Sequence, residues 1–254
     1  MTTARLAGKV VLVTGAGQAP GRQFAVRLAR EGAGVIALDE GAPGPTGHPD
    51  LSSTVAVVES LGGRIVARDV DVRDPRALDA AVAVAAGRLG GLDAVVTSPV
   101  VTAPGSVEGI ADEVWHGTLD RVLTGVWNTC RAALPHMADG GSITVVGSAA
   151  GLRGFAHLAH HAAAEHGVVG LVRSLAHELA PRAIRVNSVH PAGGPADPAV
   201  PAPPGSLVFD PAADTPEPSV ATGDVSGTVV YLTSDDARLL TGLTVPVDAG
   251  LVPR

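Results

Sequence analysis

The sequence predicts a single-domain α/β fold: a doubly wound parallel sheet of seven expected strands with helices on both faces. Three observations lead there. Short Val/Ile-rich runs alternate with longer Ala-rich amphipathic stretches along the whole chain. The 254 residues are 46% apolar but only 2% aromatic, and small aliphatic side chains suit helices packed closely on a sheet buried on both faces. No internal repeat and no interdomain linker interrupts the pattern.

The elements follow in order. Lys9–Thr14 reads as a strand, Gly21–Glu31 as a helix and Gly34–Asp39 as a second strand. A Pro/Gly loop over Gly41–Asp50 leads into a helix over Leu51–Leu61. Arg64–Val70 is a strand, Pro75–Leu89 a helix and Leu92–Thr97 the fourth strand. Helical pattern dominates Ala111–Met137, followed by a strand at Ser142–Gly147, a helix over Leu158–Leu179 and a strand at Ile184–His190. Pro191–Val220, rich in Pro, Ala and Asp, reads as a long loop over the substrate side. A helix at Val225–Ser234 and a strand at Leu243–Val247 complete the chain. Strands separated by helices of this length imply right-handed crossovers, and such sheets bind ligands at the carboxyl ends of their strands.

Composition narrows the function classes. A net charge of −7 argues against nucleic acid or an anionic membrane surface as partner. The one cysteine, Cys130, permits no internal disulfide. The start has no signal-peptide layout and the apolar runs are too short to span a bilayer, so a soluble cytoplasmic protein is expected.

The turn Thr14-Gly15-Ala16-Gly17-Gln18-Ala19-Pro20-Gly21-Arg22 follows the first strand and opens a helix. Glycines there let the backbone turn tightly and approach a pyrophosphate at the positive helix end, and Pro20 suits a first helical turn. Asp39, ending the second strand, can accept both hydroxyls of an adenosine ribose and repel a 2′-phosphate; the plainer reading is a solvated loop acid.

Several motifs are spread along the chain. They are Gly8-Lys9-Val10-Val11-Leu12-Val13-Thr14-Gly15, Asp69-Val70-Asp71-Val72-Arg73-Asp74, Leu123-Thr124-Gly125-Val126-Trp127 and His166-Gly167-Val168-Val169-Gly170-Leu171. Ile184-Arg185-Val186-Asn187-Ser188-Val189-His190-Pro191 and the run Leu240–Gly250 complete the set. In these the chain resembles the short-chain dehydrogenase/reductase family, particularly its mycofactocin-associated, carveol-dehydrogenase-like members. The resemblance implies a Rossmann-type sheet, with Gly15, Gly17 and Gly21 at the dinucleotide, Asp71 and Val72 flanking the adenine, and Asp39 selecting NAD over NADP. It also implies pairing into dimers or tetramers through the two long helices and the last strand. The chain departs from the family pattern at Ala19, in place of a glycine; at Ser98-Pro99-Val100, in place of Asn-Ala-Gly; and at Ala196, in place of a threonine. These changes set tight dinucleotide binding against a cofactor-free protein.

Family members transfer hydride with an Asn, a Ser, a Tyr and a Lys. By resemblance Ser148 stands on the Ser, His161 on the Tyr, Glu165 on the Lys and Val122 on the Asn. Counting alone reaches the same end: the chain has one tyrosine, Tyr231, and one lysine, Lys9, so it contains no Tyr-x-x-x-Lys. His161 and Glu165 lie i,i+4 and share a helix face, where a carboxylate can set an imidazole's tautomer and pKa. The plainer reading is a His-rich helix, with His157, His160, His161 and His166, and a surface Glu. A metal held by His157 and His161 is a lesser option, lacking a Cys or clear Asp ligand, and no metal is expected.

Three functions stay open on these grounds. The first expected reading is a non-redox acid/base enzyme: cyclisation, dehydration, isomerisation or aldol-type closure of a hydrophobic oxygenated small molecule by Ser148, His161 and Glu165. The alternatives are an NAD-dependent oxidoreductase with His161 replacing Tyr, and a catalytically silent subunit pairing with an active relative.

Overall fold

A computed structural model describes residues 4–41, 50–99, 104–192, 220 and 222–252. Strands β1 (Val10–Thr14), β2 (Gly34–Asp39), β3 (Ile65–Asp69), β4 (Leu92–Thr97), β5 (Met137–Val146), β6 (Arg185–Pro191) and β7 (Thr244–Val247) form one sheet. All its pairs are parallel, in the order β3-β2-β1-β4-β5-β6-β7. Helices α1 (Gly21–Arg30), α2 (Leu51–Ser60), α3 (Pro75–Leu89), α4 (Asp112–Leu119), α5 (Gly125–Ala133), α6 (Ala159–Glu178) and α7 (Thr222–Thr233) connect them. The seven-stranded doubly wound architecture expected from the sequence is the one present.

Strand alternation builds two apolar layers. On β1, Val10 and Leu12 join the cluster under α3, α5 and α6, while Val11 and Val13 join the cluster under α1, α2 and α7. All four are buried, as the continuous apolar runs of the sequence require. Leu12 is fully buried, so Leu12→Ala would cost about 2–5 kcal/mol. Helix ends follow their local chemistry. The Asp74 carboxylate accepts from the backbone N–H groups of Arg76 and Ala77, Pro75 opens α3, and Gly90 closes it in the left-handed region.

The helix expected over Ala111–Met137 is divided. It passes from α4 through a wide π turn at Asp120–Thr124 into α5 and ends in a 3-10 turn at Leu134–His136. Pro135 cannot continue an α-helix, and Met137 already pairs with Leu92 on β4. Register then shifts before Ala94 meets Ser142, so β5 begins earlier than its apolar run. Pro191 belongs to β6, paired with Val247, and does not open the loop; residues 193–219 of that expected loop lie outside the described residues. Among the described residues, no helix is long and apolar enough to cross a membrane.

Candidate functional site

The strand order reverses at β1, which lies between β2 and β4, and a groove opens at the carboxyl ends of these three strands. It is lined by Thr14, Gly15 and Gln18, by Asp39 and Glu40, by Val70 and Val72, by Thr97, Ser98 and Pro99, and by Arg121, Gly125, Val126 and Thr129 of the turn and helix that follow α4. Gly15 has φ +68, and a Cβ on it would stand 2.5 Å from the Ser98 carbonyl oxygen, so the turn needs glycine twice over. Gly21 is packed against the Gly15 carbonyl with no room for a side chain.

Asp39 secures this turn. Its carboxylate accepts from the Gly17 N–H at 2.8 Å and from the Glu40 N–H at 2.8 Å. Burial raises its pKa, and the two donations oppose that rise. Asp39 is therefore a buried anchor and not a solvated loop acid, and each oxygen keeps a second lone pair for a ribose hydroxyl. Arg22, which the sequence reading passed over, pins the same turn: its guanidinium donates to the carbonyls of Gly17 and Asp50 and to Thr54 Oγ1. Val72 lines the groove, whereas Asp71 is turned to Arg73 at 2.6 Å.

The groove fits a dinucleotide. The glycine turn borders it at Gly15, and the buried Thr97 Oγ1 and Ser98 Oγ, on groove residues, have no partner among the described residues. Ala19 is exposed and does not line the groove, so its Cβ does not crowd it. Pro99 does line it; Val100 and Ala196 lie outside the described residues.

The second part of the site lies one strand over. Thr97 pairs with Val145, so Ser98 after β4 and Ser148 after β5 emerge at the same edge. Ser148 Oγ accepts from the Ala150 N–H at 3.1 Å, leaving the hydroxyl hydrogen to donate elsewhere. Its own backbone N–H donates to Glu165 Oε2 at 3.1 Å, and Glu165 Oε1 stands 3.9 Å from His161 Nε2. Glu165 thus links the three residues the sequence singled out. It lies beneath the Ser148 peptide, 1% exposed, and not on a helix surface. Burial pushes its carboxyl up to about 8 against the Ser148 donation, and burial with neighbouring His160 pushes His161 down to about 4. At neutral pH the two face each other mostly uncharged, so they are no salt bridge. His161 Nδ1 is buried and has no partner among the described residues.

Sequence reasoning missed His190. It is fully buried, its Nδ1 meets the Ser148 carbonyl at 2.7 Å and its Nε2 meets Ser188 Oγ at 2.9 Å. Since a carbonyl only accepts, Nδ1 carries the proton and Nε2 accepts from Ser188. A Cβ on Gly151 would stand 3.0 Å from the His190 ring, so this glycine makes room for it. The i,i+2 spacing of Ser188 and His190 on a strand was the available signal.

The tyrosine and the lysine of the chain sit elsewhere. Tyr231 lies half-exposed on α7, and Lys9, before β1, binds Asp235 at 2.6 Å. Val122 is fully buried in the apolar core. Among the described residues no three His, Cys, Asp or Glu side chains gather as a metal site would require.

A family model described as enoyl-(acyl carrier protein) reductase matches residues 15–252. The chain is 40% identical to the (−)-trans-carveol dehydrogenase of Rhodococcus erythropolis, over 97% of this chain and 98% of that one. Carveol dehydrogenase from Mycobacterium avium, solved in complex with NAD, superposes with a TM-score of 0.88 at 39% identity, covering 98% of this chain and 99% of that one. A short-chain dehydrogenase from Mycobacterium paratuberculosis, solved bound to NAD, gives 0.88 at 36%, covering 98% and 100%. These relatives overturn the expectation of a non-redox acid/base enzyme, and they give no support to a cofactor-free protein. That expectation took two ionisable groups, a His and a Glu at the catalytic positions, as a sign of new chemistry; the fold buries both and keeps the dinucleotide groove of these NAD-bound relatives beside them. The chain belongs to the short-chain dehydrogenase/reductase family.

Proposed function

We propose that this protein is an NAD-dependent oxidoreductase that interconverts a hydrophobic secondary alcohol and its ketone, with His161 exchanging the proton. The observation that carries the reading is the juxtaposition of the Asp39-anchored glycine groove with the Ser148–Glu165–His161 cluster, at the ends of neighbouring strands. NAD, when bound, accepts or returns the hydride. Gly15, Gly17 and Gly21 would cradle its pyrophosphate and Asp39 would hold its adenosine ribose. Ser148 Oγ, fixed by Ala150, donates to the substrate oxygen. His161, kept neutral by burial, takes the hydroxyl proton during oxidation and returns it during reduction. Glu165 positions both: it holds the Ser148 backbone and faces His161 Nε2, where ionisation of its carboxyl would stabilise an imidazolium.

The carveol of the relatives' names suggests a ring-borne secondary alcohol as substrate, and the mycofactocin-associated branch of the family is part of the same proposal. So is assembly as a homo-oligomer, to which the half-exposed Trp127 on α5 and Leu243 beside β7 would contribute apolar surface. The test is incubation with NAD⁺ and a panel of cyclic secondary alcohols. NADH formation by the wild type and its loss in His161→Ala is the expected result; NADH formation unaffected by His161→Ala would move the proton exchange elsewhere.

A further inference from the structure

At the Asp39 end of the groove four charged side chains form one network. Glu40 follows Asp39 and takes Arg121 at 2.9 Å and Arg73 at 3.2 Å. Arg73 is also held by Asp71, through its guanidinium at 2.6 Å and its backbone N–H at 2.8 Å. Glu40 and Arg121 line the groove beside Asp39, Val70 and Val72. One guanidinium, the side chain best shaped for a phosphate, therefore lines the groove with the aspartate that would meet the adenosine ribose, and Glu40 joins it to a second, Arg73. Glu40 engages both, and for Arg121 it is the carboxylate in contact, while Asp71 also holds Arg73. Asp39, Glu40, Asp69 and Asp71 outnumber the two arginines, and both Glu40 and Asp69 add repulsion at Asp39.

We propose that Glu40 is a second selector for NAD: by engaging Arg121 and Arg73 it masks a latent 2′-phosphate site. The proposal rests on the NAD reading above. It differs from selection by Asp39, which excludes a 2′-phosphate by its own charge; Glu40 acts by withholding the cations that would bind one. These ion pairs are partly exposed and individually weak, so a phosphate dianion can redirect the arginines once the carboxylate is gone.

The experiment measures binding by calorimetry, with NAD⁺ and NADP⁺ and with the smaller probes 5′-AMP and adenosine 2′,5′-bisphosphate. The proteins are wild type, Asp39→Asn, Asp39→Asn/Glu40→Gln, and the same double variant with Arg121→Ala; thermal unfolding verifies that each is folded, and Glu40→Ala replaces Glu40→Gln where it is not. The double variant should bind the 2′-phosphorylated ligands about tenfold or more tightly than Asp39→Asn alone, and Arg121→Ala should remove the gain. Equal affinity in the single and double variants overturns the role of Glu40, as does a gain that survives loss of Arg121. Wild type that binds neither NAD⁺ nor 5′-AMP at millimolar concentration overturns the cofactor reading and this proposal with it. NAD⁺ binding without a Glu40 effect overturns this proposal alone.

Discussion

The Glu165 carboxyl group accepts the backbone N–H of Ser148 at 3.1 Å, from beneath the loop that carries the serine. With His190 holding the Ser148 carbonyl at 2.7 Å, both polar groups of the segment are fixed by side chains from α6 and β6. Replacing Glu165 with Ala would leave a buried N–H unsatisfied beside an empty space. The expected loss is about 1–3 kcal/mol in a denaturant titration, with most of it restored by Gln, whose amide oxygen can accept the same bond. Equal losses for Ala and Gln would mean that the carboxylate's charge, and not its acceptor, holds the loop.

Stability should fall from pH 6.5 to about 8. Glu165 has a higher pKa folded, about 8, than its ordinary 4.5, so the native state binds the extra proton between those values and loses stability as pH rises. His161 has a lower one, about 4 against 6.5, so the unfolded state binds the extra proton and stability rises with pH over that window. The depressed His190 acts in the same direction as His161. The opposing slopes offset each other between 4.5 and 6.5, and above 6.5 Glu165 acts without them. A decline of at most about 2 kcal/mol is expected in wild type, and a flatter profile in Glu165→Gln. Identical profiles in the two proteins would contradict the burial of an ionisable Glu165.

Alcohol oxidation should accelerate as pH rises toward 8. Ionised Glu165 facing His161 Nε2 favours the imidazolium that forms when the alcohol proton is taken. Glu165→Gln should lower kcat and lose this inflection while leaving NAD⁺ affinity unchanged. His161→Ala should lower kcat by about 10²–10⁴, the ordinary contribution of a general base. A loss confined to KM would count against proton exchange at His161.

Asp39→Ala should weaken NAD⁺ binding by about tenfold or more, because it removes the ribose acceptor and frees the Gly17 N–H from its 2.8 Å bond. Gly15→Ala should do so as well, since a Cβ there meets the Ser98 carbonyl in a left-handed backbone. Isothermal titration of both variants is the check, and unchanged affinity in both would place the cofactor elsewhere.

Much of this is legible in the sequence. Alternating strand and helix patterns located all seven strands, because a sheet buried on both faces writes itself as apolar runs. The run Ala111–Met137 was misread as one helix because composition does not register a π turn, and because Met137 pairs across a bulge outside the apolar run. At the site, Ser148, His161 and Glu165 follow from the family resemblance, but their protonation does not. That depends on burial, and an i,i+4 His/Glu pair looks the same whether it lies on a surface or under a backbone. His190, Arg22 and the Glu40–Arg121 pair depend on contacts between residues distant in sequence, to which local patterns are blind.

The most direct test of redox function is transfer of label from a secondary alcohol carrying deuterium on its carbinol carbon. Incubated with the protein and NAD⁺, such an alcohol is predicted to give NADH that carries the deuterium, seen by mass spectrometry of the recovered cofactor. Bound NAD⁺ that stays oxidised across the panel of cyclic alcohols, or NADH formed without the label, would contradict hydride transfer in this site.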